Sequence, residues 1–229
     1  MINNMIPKTI HYCWFGRNQK PENVLQCIQT WKDKMPDYEI KEWNEDNFDV
    51  NYNDFTKEAY HVKKYAFVSD VARLYALVKE GGIYLDTDIE VIKPFDNLLD
   101  KDYFIGYECF GKIGTGVIGA KANVHFIRDF LDTYNDKTFF NADGSYNESP
   151  NTILLSRFIQ KNNIQLNIHD VDFFCAKNYQ TGEIEQTDRT YCIHHFSGSW
   201  KPWYSRLEMK ICKALGIRYR DFLFRHISK

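Results

Sequence analysis

Apolar positions along this chain recur with two alternating rhythms, and the order of those rhythms predicts an α/β domain. The opening IPKTIHYCWFG reads as a short strand entered after Pro7 and ended at Gly16. In PENVLQCIQTWKDKMP, Val24, Leu25, Ile28 and Trp31 fall at helical spacing, with Pro21 at the first helical position. YEIKEWNE then alternates as a strand. A helix follows from Phe67 to Lys79, marked by Val71, Leu74 and Val78 and stopped by Gly81-Gly82. It runs directly into Ile83-Tyr84-Leu85, a buried strand. NLLDKDYFIGYE and IGTGVIGA are expected as further strands, the second glycine-rich enough for a ligand or another backbone to come close. A loop over NADGSYNESP precedes the helix NTILLSRFIQK, and QLNIHDVDFF and RTYCIHHFSGSW complete the predicted strands.

Composition narrows this picture. With 229 residues, 44% hydrophobic and 26% charged, the chain suits one globular domain with a sizeable core. A net charge of −2 gives no global signal for nucleic acid, so no nucleic-acid partner is expected. The six cysteines (Cys13, Cys27, Cys109, Cys175, Cys192, Cys212) form no CxxC pair, which speaks against a disulfide framework or a structural zinc site. With neither a basic-then-apolar leader nor an apolar run of membrane length, the expected location is cytoplasmic. Residues 206–229 stand apart. Arg206, Lys210, Lys213, Arg218, Arg220, Arg225 and Lys229 face only Glu208 and Asp221 there, interleaved with Leu, Ile and Phe. Such a segment is either a capping helix with a solvated basic face or a surface for anionic lipid, which would make the protein peripheral on the inner face of the plasma membrane.

The candidate chemistry centres on GGIYLDTDIE, where Asp86 and Asp88 follow the buried strand. Residues two apart in extended chain face one side, so both carboxylates would converge and repel unless a cation or donors join them. Three readings compete: a divalent-metal site against a diphosphate, a phosphatase with an aspartyl nucleophile, and a structural loop with capping aspartates. On the preceding helix Asp70 and Arg73 share a face. They read either as a helical ion pair or as a clamp for hydroxyls and phosphates.

Taken in order, Ser69-Asp70, Arg73, Leu77, Gly81-Gly82, Tyr84, Asp86 and Asp88 resemble the sugar-binding region of glycosyltransferase family 32, a pattern also found in the glucosyltransferase domains of clostridial toxins. The opening IPKTIHYCWFG resembles that family's first strand, and HHFSGSW its closing motif. The resemblance spans roughly residues 6 to 203.

It implies a GT-A fold: a single Rossmann-like nucleotide-sugar-binding domain over residues 1–205, with a mixed, mainly parallel sheet flanked by helices. It further implies a retaining, metal-dependent hexosyltransferase using a nucleotide sugar, with Mn²⁺ or Mg²⁺ as cofactor. By the motif, Asp88 would ligate the metal and Asp86 would contact the ribose and the metal shell. Asp70 and Arg73 would hold the donor sugar, and Tyr84 would line the same pocket. Trp14 would stack on uracil, its other reading being a core indole. His195 would be the third ligand, with His194 pointing the other way along its strand, and Ser199 and Trp200 would close over the diphosphate. Trp14 favours UDP-galactose, UDP-glucose or a UDP-N-acetylhexosamine, while GDP-mannose stays open because yeast members of the family are mannosyltransferases. A lipid-linked oligosaccharide acceptor in bacterial surface polysaccharide synthesis fits a small cytoplasmic member. Against the phosphatase, no Gly-Asp-x-x-x-Asp motif follows. A non-catalytic nucleotide-sugar-binding protein is the remaining rival.

Overall fold

The computed structural model describes residues 5–109 and 111–198, together with Ser205, Leu207, Glu208 and Ile211. In chain order the elements are β1 (Thr9–Cys13), α1 (Glu22–Lys34), β2 (Glu39–Trp43), α2 (Asp54–His61), α3 (Tyr65–Glu80), β3 (Gly82–Leu85), β4 (Ile89–Val91), β5 (Tyr103–Cys109), β6 (Lys112–Ala120), α4 (His125–Asp132), α5 (Asn151–Lys161), α6 (Val171–Phe174) and β7 (Cys192–His194). Five strands form one sheet in the order β2-β1-β3-β6-β5, and β4 pairs with β7 in a separate two-stranded ladder. β1 runs parallel to β2 and β3, while β6 is antiparallel to both β3 and β5. Four of the five strands therefore point the same way, the mixed, mainly parallel sheet expected.

Hydrophobic clusters cover both sheet faces. One gathers α2, α3, α4 and α5 against the sheet, with Phe55, Val68, Leu77, Phe130 and Leu155 buried in it. The other packs α1 and the β4–β7 ladder on the opposite side through Ile28, Trp31, Ile89, Val91 and Cys192. α3 is the central helix: Val68, Val71, Ala72, Ala76 and Leu77 have no exposed surface. Gly81 ends it at φ 67, a conformation that costs glycine little. His11 is buried as a strut, its Nε2 at 2.7 Å from the Gly81 carbonyl while its Nδ1 accepts from Trp43 Nε1 at 3.0 Å.

The periodic reading missed α2, α4 and β4. α2 carried a local signal: Asn53 Oδ1 accepts from Thr56 N at 2.9 Å, and Thr56 Oγ1 returns a bond from Asn53 N at 3.3 Å, a capping box. The strand expected over QLNIHDVDFF does not form. His169 makes one bridge to Gly106, and the chain then turns into α6. Phe174 there enters an aromatic cluster with Phe95, Phe104 and Tyr191, and this packing outweighs the alternating pattern.

Candidate functional site

The carboxyl ends of β1 and β3 open onto one edge of the sheet, where ligands of parallel α/β sheets bind. β3 is wholly buried and ends at Leu85, so the next residues emerge at that edge. Asp86 and Asp88 do not lie in extended chain as the sequence suggested. They occupy a turn between β3 and β4, closed by Ile89 N donating to Asp86 O at 3.0 Å. The turn still brings both side chains to one place.

The β4–β7 ladder pairs Ile89 with His194 and so sets a histidine beside the turn. Side chains alternate along β7. The imidazole beside the aspartates is therefore that of His194, buried, with Nε2 3.3 Å from Asp88 Oδ1. His194, and not the His195 expected from the motif, is thus the histidine whose ring lies beside the aspartates. The His195 ring points away to Glu90, Nε2 to Oε2 at 2.8 Å, and only its backbone N–H reaches the turn, donating to Asp88 O at 3.0 Å. Asp86, Asp88 and His194 each offer one ligand atom, and these atoms lie within 4.8 Å of one another.

This triad fits a divalent cation. Two ligands about 2.1 Å from an ion and at right angles are about 3 Å apart, close to the Asp88–His194 spacing. Two carboxylates with one imidazole suit Mn²⁺ better than Mg²⁺, which favours oxygen alone. Electrostatics keep the Asp88 carboxylate ionised and, without a cation, His194 protonated. Burial works against charge on Asp88, yet His194 and the Ser197 N–H, donating to Oδ2 at 2.7 Å, hold its carboxyl well below the usual range. Burial likewise opposes charge on His194, but Asp88 raises it well above an ordinary imidazole.

Arg73 lies behind the triad, 5% exposed. Its Nη2 meets Asp70 Oδ1 at 2.7 Å and its Nη1 meets Asp86 Oδ1 at 3.1 Å. Nη1 also donates to Thr115 O at 2.8 Å, Nε donates to Ser69 O at 3.2 Å, and the guanidinium sits 4.6 Å from the Tyr84 ring centre. A buried guanidinium needs this density of partners. Asp70 is the weaker partner: burial pushes its carboxyl up to about 7, Arg73 opposes this and Asp86 adds to it. Tyr84 is 2% exposed and reaches the site through its hydroxyl, which donates to Asp86 Oδ1 at 2.9 Å.

Trp14 follows β1 and is half-buried; its Nε1 donates to Asn18 O at 2.7 Å and Lys20 Nζ lies 5.7 Å from its ring. It stands at the end of the strand beside β3, and its contacts are with Asn18 and Lys20. Ser199 and Trp200 lie outside the described residues, as does most of 206–229. Sequence reading missed Gly116, where a Cβ would come within 2.9 Å of Asp86 Oδ2 and 3.3 Å of His194 Cε1. The glycine-rich IGTGVIGA was the signal for that close approach. It also missed Asn151, whose Oδ1 accepts from Tyr134 OH at 3.1 Å and whose Nδ2 lies 3.5 Å from Asp70 O. Nothing in NTILLSRFIQK distinguished this asparagine from an ordinary first-turn residue.

Residues 21–105 match the family described as the glycosyltransferase sugar-binding region containing a DXD motif. Inositol phosphoceramide mannosyltransferase 3 of Schizosaccharomyces pombe is 29% identical over 125 residues, 50% of this chain and 33% of that protein. An uncharacterized glycosyltransferase, L373, of Acanthamoeba polyphaga mimivirus is 32% identical over 141 residues, 56% of this chain and 54% of that protein. The chain thus spans a third to about half the length of these curated relatives. Among solved structures, PaToxG glycosyltransferase superposes with a TM-score of 0.53 at 21% identity, covering 69% of each chain. The resemblance drawn from the order of the motifs is borne out: residues 21–105 match the DXD-containing sugar-binding region of glycosyltransferases, and the fold is the GT-A fold.

Proposed function

We propose that this protein is a metal-dependent, retaining glycosyltransferase that moves a hexose from a nucleotide sugar to a saccharide acceptor. The observation that carries the reading is the convergence of Asp86, Asp88 and His194 at one point, backed by a fully engaged Arg73. An Asp-x-Asp serving only as a turn cap needs no buried histidine beside it. A phosphatase would need a second acidic motif, which the sequence lacks.

Asp86, Asp88 and His194 would hold the cation, with Mn²⁺ favoured by the imidazole. When bound, the metal neutralises charge on the donor diphosphate as the glycosidic bond breaks. The chain's own residues do the rest. Tyr84 and Arg73 fix the Asp86 carboxylate, so the site is organised before the donor arrives. Trp14, half-exposed at the neighbouring strand end, is suited to stacking on a uracil ring, and Ser199 and Trp200 would close over the leaving group. UDP-galactose, UDP-glucose and UDP-N-acetylhexosamine are the leading donors. A mannose donor is the second reading, favoured by the yeast relative's name.

The proposed acceptor is a lipid-linked oligosaccharide in bacterial surface polysaccharide synthesis, met at the cytoplasmic membrane face. No helix among the described residues is long and apolar enough to cross a membrane. The basic 206–229 segment supports docking on anionic lipid. Deleting it should weaken binding to phosphatidylglycerol vesicles while sparing donor hydrolysis. Equal vesicle binding by both proteins would remove the membrane role.

The test of the central reading is release of nucleoside diphosphate from a panel of UDP- and GDP-sugars, with Mn²⁺ or chelator, for wild type and Asp88→Asn. Metal-dependent release from one donor, lost in the variant, is expected. No turnover with candidate acceptors present, while Mn²⁺ still binds, would make the chain a binding protein.

A further inference from the structure

Glu108 is a carboxylate left over by the site as described. It lies near the end of β5, half-buried, and no hydrogen bond or ion pair holds its carboxylate among the described residues. Burial raises its pKa; His194 lowers it and Asp86 and Asp88 raise it further, which places it in the field of the triad. A carboxylate turned partly out of water gains from a hydrogen-bond donor.

Glu108 and His194 line one small cavity of about 10 Å³, together with Gly114, Gly116 and Cys175, among others. The volume is room for about one water molecule. Gly114 and Gly116 keep it open. A Cβ on Gly114 would lie 3.3 Å from both Glu108 Cβ and Gly106 O, and one on Gly116 would lie 3.5 Å from His194 Nδ1. His194 presents Nε2 to Asp88, so its Nδ1 is turned elsewhere, with the Cys175 sulfur 4.0 Å away. A metal-bound imidazole donates its other N–H to an acceptor, which fixes both tautomer and ring orientation. A thiol at that distance is a poor acceptor.

We infer that Glu108 is a positioning residue for His194: through one water in this cavity it accepts the Nδ1–H and so keeps Nε2 facing Asp88 and the cation. The inference rests on the metal reading of the triad. It accounts for the inward glutamate of β5, with Gly114 beside Glu108 and Gly116 beside His194.

The test is Mn²⁺ affinity, measured by electron paramagnetic resonance on the full chain with Mn²⁺ alone, for wild type, Asp88→Asn, Glu108→Leu, Glu108→Gln, Gly114→Ala and Cys175→Ala. Glu108→Leu should weaken affinity about 10- to 100-fold, the usual loss for such a partner. Glu108→Gln, which keeps an acceptor, should recover most of it. Gly114→Ala should weaken binding with the carboxylate intact, which keeps the idea testable if the leucine variant fails to fold. Cys175→Ala should bind like wild type. Wild-type affinity in folded Glu108→Leu, with binding lost in Asp88→Asn, would overturn the role of Glu108 alone, as would a loss confined to Cys175→Ala. Undiminished binding in Asp88→Asn, or no binding by wild type, would overturn the metal reading and this inference together.

Discussion

Asp88 Oδ1 and His194 Nε2 stand 3.3 Å apart although 106 positions separate the two residues (194 − 88), because the β4–β7 ladder pairs Ile89 with His194. Without a cation the two form an ion pair, with Asp88 ionised and His194 protonated.

A proton must therefore leave when a metal takes the imidazole lone pair. His194 is raised above its ordinary value, so it still carries that proton near neutral pH and gives it up on binding. Mn²⁺ titrations by calorimetry in buffers of different ionisation enthalpy should show release of about one proton per ion at pH 7. Affinity should rise with pH. Binding with no proton release would mean that His194 is not a ligand.

The two adjacent histidines should separate cleanly. His194→Ala removes a ligand and should weaken Mn²⁺ binding by a large factor, whereas His195→Ala removes ring contacts with Glu90 and Lys177, away from the aspartates, and should leave it within about 10-fold. Equilibrium dialysis would decide it. The reverse order would restore the assignment made from the motif.

Gly116→Ala should damage the site without unfolding the protein. The added methyl would sit 2.9 Å from Asp86 Oδ2, so the carboxylate must shift while the strand stays paired. The expected outcome is weaker Mn²⁺ binding with an unchanged circular dichroism spectrum, and unchanged affinity would show that Asp86 has room to spare.

Asp70 gives the metal-free protein a pH dependence. Its carboxyl is raised to about 7 in the fold, chiefly by burial, from an unfolded value near 3.8. The folded state holds its proton more tightly, so stability is full below the unfolded value and is lost as pH rises toward 7, on the order of 1 kcal/mol per pH unit. Urea unfolding of wild type and Asp70→Asn between pH 4 and pH 8 should show a slope in the first that is flattened in the second. Parallel profiles would assign the slope elsewhere.

Much of this protein was determined by local sequence. β1, α1, β2, α3, β3, β6 and α5 all follow from apolar spacing and from glycine or proline stops, because each element's period is a property of its own residues. The ordered run from Asp70 to Asp88 likewise places a helix, a break, a buried strand and two carboxylates within one stretch. Tertiary structure decided what spacing cannot encode. Which histidine of the pair faces the aspartates depends on the register of β7 against β4, and a shift by one residue exchanges them. That Arg73 spends its guanidinium on Asp70, Asp86 and Thr115 rather than on solvent depends on the burial of α3 around residues 71–74. That Glu108 stands across a small cavity from His194 depends on β5 and β7 approaching from distant parts of the chain. Local periodicity fixes which way a side chain points along its own element, while long-range pairing fixes what it meets.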